Sequence, residues 1–296
     1  MTISIIIPNF NGKELLEKNL PFLIKAKENK KNNIKEIIVV DDASTDDSVI
    51  YLKNNFSKSI KLIIHNKNKG FSASVNTGVK NSSSNLVCLI NSDVVVNKNF
   101  LEKMQEDFGD EKVFAVSLHE KGYGPSKGEF VDGFIVHDGQ KESKNIEETF
   151  WANGGSAVFR RSIWIDLKGM DEKVLSPFYW EDLDLSYRAQ KRGYKILWEP
   201  NSIVIHEHES TMKKLNQKYL QRIRERNQLL FVWKNLTSKS LMRKHVGFLV
   251  KRIVNYPGYF RIFIMAISKM KVVKEARKVE IKETIVSDEA IFAKFN

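Results

Sequence analysis

The sequence predicts an α/β fold, a mainly parallel sheet with helices on both faces, followed by a C-terminal helical extension. Three observations carry this expectation. Short apolar runs alternate with helix-like segments through roughly the first 90 positions. Two of those runs lead straight into acidic clusters, Asp41-Asp42 and Asn91-Ser-Asp93, and open α/β sheets place ligands just beyond their strand ends. From about Leu215 the pattern becomes helical and strongly basic.

The elements follow in order. Ile3–Ile7 reads as a buried strand, stopped by Pro8 and Asn11-Gly12. Lys13 to about Lys30 has helical apolar spacing, with an interruption expected at Pro21. Ile34–Val40 is the second strand. Ser44–Phe56 reads as a helix with Ser44 or Thr45 as N-cap and Asp46 and Asp47 at its positive end. Leu62–His65 and Leu86–Ile90 are further strands, separated by a turn and helix from Gly70 to Lys80. Alternation of this kind implies parallel strands with right-handed crossovers. Beyond Asp93, Phe100–Phe108 reads as a helix, Val113–Leu118 as a strand, and Glu120–Ser143 as a mobile loop or hairpin. Tyr179–Arg192 reads as a helix ending at Gly193. Lys195–Trp198 and Ser202–Ile205 read as two strands. The remainder reads as helix to nearly Lys282, broken near Pro257-Gly258.

Composition limits the chemistry. A chain of 296 residues with 42% hydrophobic and 28% charged content can bury a substantial core. The single cysteine, Cys88, excludes an internal disulfide and a Cys-based zinc site, and its apolar neighbours mark it as a core residue. No secretory leader and no apolar run of membrane-spanning length is visible, so a cytoplasmic setting is expected, with an option of peripheral contact on the inner face of the cell membrane. The net charge is +12. Met212 to Glu283 holds 19 Lys/Arg against 4 Asp/Glu, a surplus of 15, so the rest of the chain sums to −3.

Chemistry concentrates in three places. Phe178-Tyr-Trp-Glu-Asp-Leu-Asp184 sets Glu181, Asp182 and Asp184 among aromatics, where a carboxylate must be paired, metal-bound or tuned as a base. Asp41 and Asp42 precede a helix and suit the hydroxyls of a ribose or the N3–H of a pyrimidine, whereas Asp46 and Asp47 read as ordinary helix-start acids. Asp93, and His206 within His206-Glu-His-Glu-Ser210, suit a divalent cation. His206 and His208 share a face of an extended segment. There is no HExxH helix and no GxxxxGK[ST] loop, which argues against a zinc hydrolase and a P-loop kinase.

The ordered pieces Ile7-Pro-Asn-Phe-Asn11, Val40-Asp-Asp-Ala-Ser-Thr-Asp46, Asn68-Lys-Gly-Phe-Ser-Ala-Ser-Val-Asn76, Leu89-Ile-Asn-Ser-Asp93, Trp151-Ala-Asn-Gly-Gly-Ser156, Trp180-Glu-Asp-Leu-Asp184, His206 with Ser210, and Arg226-Asn227 resemble an inverting family-two glycosyltransferase of the GT-A (Rossmann-like) fold, nearest its rhamnosyltransferase-like branch. The resemblance implies a nucleotide-sugar-binding half over 1–95, a metal and acceptor half of the same domain over 96–211, and a basic, mainly helical extension over 212–296. It implies that Pro8, Phe10, Asn11, Asp41, Asp42, Asn68, Gly70, Asn76 and Arg226 serve the donor nucleotide. Trp151, Gly154, Gly155, Trp180 and Glu181 would border the sugar and acceptor. Asp93 and His206 would hold Mn2+ or Mg2+, with Asn91 standing where the family's first acid lies, and Asp182 would be the catalytic base. The implied reaction moves a sugar from a UDP- or dTDP-sugar to a hydroxyl of a glycan or lipid-linked acceptor.

The basic helices admit two readings, a peripheral membrane contact or packing against the catalytic domain or a second subunit as a homodimer. Two other whole-protein readings are a nucleic-acid-binding module and a sugar-nucleotidyltransferase. The first leaves the acidic clusters without a role and sets them against phosphates, so no nucleic acid is expected. The second lacks a glycine-rich phosphate loop after the first strand.

Overall fold

A computed structural model describes residues 1–206 and 216–295. His208 and Ser210 lie outside the described residues. The first half builds as the alternation predicts. Strands β1 (Ile3–Asn9), β2 (Ile34–Asp41), β3 (Lys61–Ile64) and β4 (Leu86–Ile90) pair in parallel, in the order β3-β2-β1-β4. Helices α1 (Lys13–Glu28), α2 (Ser48–Phe56) and α3 (Phe71–Lys80) make the crossovers.

Strand periodicity divides the core into two layers. Ile3, Ile5, Ile37 and Val39 face α1 and α2 through Leu16, Leu20, Leu23 and Leu52. Ile6, Ile38, Val40, Val87 and Leu89 face α3 and two later helices, α5 (Arg161–Asp166) and α6 (Glu181–Lys191), through Val75, Val79, Trp164 and Leu185.

Two local expectations change here. Helix α1 runs through Pro21 without a break. Proline removes one backbone donor, while Leu16, Leu20 and Leu23, buried on the core side, hold the helix on both flanks of the gap. Helix α2 begins at Ser48 rather than Ser44, because the Ser44 hydroxyl donates to the Asp41 carboxylate at 2.6 Å instead of capping a helix.

The second half is mixed. The small strand β5 (Val94–Val96) follows Asp93, and β6 (Val113–Glu120), β10 (Ser156–Arg160) and β11 (Lys195–His206) complete the sheet in the order β4-β10-β6-β11-β5. Strand β10 runs antiparallel to both neighbours. The segment expected to be helical over Phe100–Phe108 forms a single turn, α4 (Met104–Asp107). The two strands expected over 195–205 are one strand, parallel to β6, with the register slipping between Glu199 and Ile203 around Pro200. The region Glu120–Ser143 contains a hairpin, β7 (Ser126–Val131) with β8 (Phe134–Gly139), separate from the main sheet. A short β9 (Glu147–Glu148) pairs with β11.

The C-terminal part is helical but more divided than expected: α7 (Gln217–Asn235), α8 (Lys239–Asn255), α9 (Phe260–Ile267), α10 (Met270–Glu283) and α11 (Asp288–Phe292). The break after α7 was not anticipated. Ser238 caps α8 by accepting from the Leu241 N–H at 3.2 Å. Two further apolar clusters fasten these helices. One joins Phe150, Leu183 and Tyr187 to Phe231 and Phe292. The other joins Val174 and Leu175 to Leu229, Leu249 and Ile262. Among the described residues no helix is long and apolar enough to cross a membrane.

Candidate active site

A cleft of about 500 Å³ opens at the ends of β1, β2 and β4. Its lining includes Pro8, Phe10, Asp42, Asn68, Gly70, Asp93, Gly154, Gly155, Glu181, Asp182 and His206. Most of the residues singled out from sequence therefore meet in one cavity, although they come from positions nearly 200 residues apart.

Sheet register builds the corner at Asp93. Strand β11 runs antiparallel to β5 and sets His206 beside Val94, and it runs parallel to β6 with Val204 opposite Glu120. Asp93 Oδ1 lies 3.1 Å from His206 Nε2, and Glu120 Oε2 lies 3.3 Å from His206 Nδ1. Burial works to lower the His206 pKa, but the hydrogen bonds and charges of Asp93 and Glu120 prevail and push it up to about 9. A carboxylate oxygen and an imidazole nitrogen converging at a cleft fit a divalent cation of the manganese or magnesium kind. Among the described residues no group of three or more His, Cys, Asp or Glu side chains is arranged to hold a metal ion. The two donors would thus form part of a coordination shell, with the remaining positions open to water or a ligand. Glu120 was missed in the sequence because it closes an apolar strand and reads as the first residue of a loop.

The second corner sits at the N-terminus of α6. Tyr179 and Trp180 both take left-handed backbone conformations, with φ of 73° and 77°. Bulky residues adopt this region at a cost of roughly 1–3 kcal/mol each. Asn227 secures the turn, its amide donating to the carbonyls of Leu175, Phe178 and Tyr179 at 2.6, 2.9 and 2.9 Å. The turn delivers Glu181 and Asp182 to the cleft floor. Asp182 accepts from the N–H of Gly154 at 3.2 Å and of Leu183 at 2.8 Å. Burial raises its pKa, against those two N–H groups and the charge of His137. Glu181 is pushed up to about 8, by burial first and by the neighbouring Asp182 charge second, and its Oε2 is buried with no hydrogen-bond partner among the described residues. Close backbone approach explains Gly155: a Cβ there would fall 2.5 Å from the Asn91 side-chain nitrogen.

Asp184 belongs to the same acidic run but not to the cleft. It is fully buried and paired with Arg188 at 2.8 Å and Lys234 at 2.8 Å, and it accepts from Asn235 at 2.8 Å. Burial acts to raise its pKa, but Arg188 and Lys234 hold it below the usual carboxylate value.

Asp42 borders the cleft, yet its carboxylate is engaged by the chain. It accepts from the N–H groups of Lys69 and Gly70, at 2.9 and 2.7 Å, and lies 2.7 Å from His65 Nδ1. Gly70 takes φ of 88°, open to glycine, so that its N–H can turn to Asp42 as α3 begins.

Six of the expected site residues lie outside this cleft. Asp41 is fully buried and ties Asn9 to Ser44. Asn11 braces the facing loop by accepting from Thr45 N–H at 2.7 Å. Asn76 holds the loop at Met170, accepting from its N–H and donating to its carbonyl. Arg226 points at the Ser176 carbonyl, 2.7 Å away, and at Asn227, so it supports the 175–179 wall from behind rather than facing a diphosphate. Trp180 packs on Phe231 and on His137. Trp151 lines a neighbouring cleft of about 350 Å³ with His137, Glu120 and Thr149. Asn153 lines both clefts and donates to Glu120 at 3.1 Å. Asn153 and His137 are contributors the sequence reading did not single out. His137 sits on the hairpin, where nothing local marks it.

A model of glycosyl transferase family 2 matches residues 4–167, more than half of the chain, and a model of glycosyl transferase family group 2 matches residues 86–273. The chain belongs to glycosyl transferase family 2. This family-2 chain is 27% identical over 188 residues to a pre-mycofactocin glycosyltransferase of Mycobacterium tuberculosis, covering 60% of the chain and 38% of the relative. It is 24% identical over 205 residues to a poly-beta-1,6-N-acetyl-D-glucosamine synthase of Staphylococcus aureus, covering 67% and 48%. The chain thus spans less than half the length of these relatives. Among solved structures, GalNAc-T7 with UDP, GalNAc and Mn2+ aligns with a TM-score of 0.64 at 15% identity, over 88% of this chain and 57% of that one. The Pyrobaculum calidifontis mannosyltransferase PcManGT with GDP-Man and Mn2+ aligns at 0.56 and 14%, over 99% and 85%. Residues 1–349 of S. aureus TarS with UDP-GlcNAc align at 0.57 and 16%, over 96% and 89%. These likenesses establish the GT-A fold, including its C-terminal helical region.

Proposed function

We propose that this chain is a metal-dependent, inverting glycosyltransferase that moves a sugar from a UDP- or dTDP-sugar to a hydroxyl of a glycan or lipid-linked acceptor. The observation that carries the reading is the convergence in one cleft of the Asp93–His206 corner with the Glu181–Asp182 pair. Family membership supports it, as do the nucleotide sugars and manganese held by the structural relatives. In this reading Pro8, Phe10, Asn68 and Gly70 wall the nucleotide, with Asp42 holding the loop that carries the last two. Asp93 and His206 hold the cation, which when bound offsets the charge of the leaving diphosphate.

Asp182 receives the acceptor proton. Its orientation is fixed by the Gly154 N–H, and its burial raises its affinity for a proton. As the acceptor oxygen bonds to the anomeric carbon, the bond to the diphosphate oxygen breaks and the hydroxyl proton passes to the Asp182 carboxylate. One base acting in one displacement inverts the anomeric carbon. Burial and the neighbouring Asp182 charge raise the pKa of Glu181, which favours a proton on it and keeps a second negative charge off the pair. The cleft beside Asn153, lined by Trp151 and His137, suits the acceptor.

A panel of nucleotide sugars tested by thermal shift with manganese checks the reading. A true donor at about 100 times its Kd stabilises by roughly 2.7 kcal/mol. EDTA is expected to abolish transfer, and manganese or magnesium to restore it. Absence of stabilisation by every sugar nucleotide, or full activity in chelator, would overturn the donor or the metal assignment respectively.

A further inference from the structure

A cavity of about 700 Å³ opens between α7, α8 and α9 and shares no lining residue with either cleft described above. Lys218, Arg222, Lys251 and Arg252 line it, opposed by Glu225 and Asp132. None of the four cations has an ion-pair partner among the described residues. Arg252 is fixed in place, its guanidinium 4.7 Å from the Phe134 ring centre and 4.5 Å from that of Tyr259. Tyr259 also lines the cavity. It is only 6% exposed, and its hydroxyl is buried with no hydrogen-bond partner among the described residues. A buried, unmatched hydroxyl next to a held guanidinium is a donor set waiting for an anion.

Two of these helices also carry apolar side chains where a water-facing helix is normally polar. Val246, Val250 and Val254 recur every fourth residue along α8 and are 53%, 57% and 71% exposed. Phe260 and Ile264 are exposed on α9, and Tyr256, which also lines the cavity, is exposed in the turn that joins the two helices. Arg243, Lys244, Lys251 and Arg261 are exposed on the same helices. A second copy of the chain fits poorly here, because a two-fold contact sets the same basic patch against itself. A bilayer carrying negative headgroups fits on both counts, since apolar side chains enter the interface while cations meet phosphates.

We propose that the α8–α9 face docks on an anionic lipid surface and that the cavity between α7, α8 and α9 seats a lipid phosphate. The inference does not rest on the sugar-transfer reading, so vesicle and donor experiments fail independently.

Co-sedimentation with phosphatidylcholine vesicles, with and without phosphatidylglycerol, tests it. Binding is expected only with phosphatidylglycerol and is expected to weaken in high salt. Lys251→Glu and Arg222→Glu are each expected to weaken it by about tenfold or more. Val250→Asp, at an exposed position, is expected to weaken it without lowering the melting temperature. Should Arg222→Glu fail to fold, Lys244→Glu on the exposed face replaces it. No binding to anionic vesicles at low salt, or binding unchanged in all the variants, would overturn the proposal. So would stabilisation by inorganic phosphate without vesicle binding. A dimer seen by light scattering and dispersed by Val250→Asp, again without vesicle binding, would assign the face to a second copy instead.

Discussion

The carboxylates at the end of β2 are surrounded by donors, whereas two of the three at the start of α6 are kept short of them. Asp41 accepts from Asn9 and from both the N–H and the hydroxyl of Ser44, and Asp42 from Lys69, Gly70 and His65. Each knots a loop around a strand end. In α6, Asp184 is treated the same way, with Arg188, Lys234 and Asn235 on its oxygens. Among the described residues Asp182 has two backbone N–H partners, and Glu181 keeps one oxygen unmatched. The difference separates acids tied into the fold from acids left short of partners. A carboxylate given enough donors keeps its charge and its place, and one denied them binds a proton more readily.

Four substitutions sharpen or break this contrast. Asp184→Ala removes a partner from a buried ion-pair network and is expected to lower unfolding free energy by about 3–5 kcal/mol in urea titrations. A loss under about 1 kcal/mol would show that the network is dispensable. Asp182→Asn is expected to reduce transfer by a hundredfold or more while donor binding and the melting temperature hold, because the amide oxygen still accepts from Gly154. Near-normal turnover would remove Asp182 from the role of base. Asp42→Asn is expected to destabilise by roughly 1–3 kcal/mol, since buried N–H donors lose a charged acceptor. Intact stability with abolished donor binding would instead make Asp42 a ligand-facing group.

The last contrast is a slope against pH and concerns Glu181. Its folded pKa is raised to about 8 from an ordinary 4.5. The stability tied to its proton is therefore complete below about pH 4.5 and is lost as pH rises through 8. Glu181→Gln is expected to remove that part of the slope, up to about 1.4 kcal/mol per pH unit, in melts run from pH 5 to 8. Parallel profiles for the variant and the natural protein would contradict the assignment.

The sequence made the first four strands and their crossover helices legible because each element there is long, apolar on the right period and bounded by Gly, Pro or Asn. Asp93 and His206 were legible as a pair through the family resemblance alone, because their meeting depends on β11 pairing with β5, which no local pattern encodes. Glu120 and His137 stayed hidden for the same reason. Strand β11 read as two pieces because Pro200-Asn201 imitates a turn, whereas the chain absorbs both residues in a register slip. Residue chemistry did not divide the roles of Glu181, Asp182 and Asp184, and the family resemblance alone put the base at Asp182 and Glu181 beside the sugar. Which acid receives Lys234 and Arg188 is settled by helix phase and by the approach of α7, both tertiary facts. The family resemblance gave Arg226 to the donor nucleotide, and its burial behind the 175–179 turn is equally a matter of packing.

Strands β7 and β8 form a ladder of their own, apart from the nine-stranded sheet, and they carry His137 to the aromatic wall beside the cleft. Substitutions at exposed hairpin positions leave the hydrogen-bond ladder of the nine-stranded sheet untouched, and with it the meeting of Asp93 and His206. The protein thus hangs His137 on a ribbon outside its main ladder, a layout in which that part of the lining can be redecorated while the Asp93–His206 corner is inherited intact.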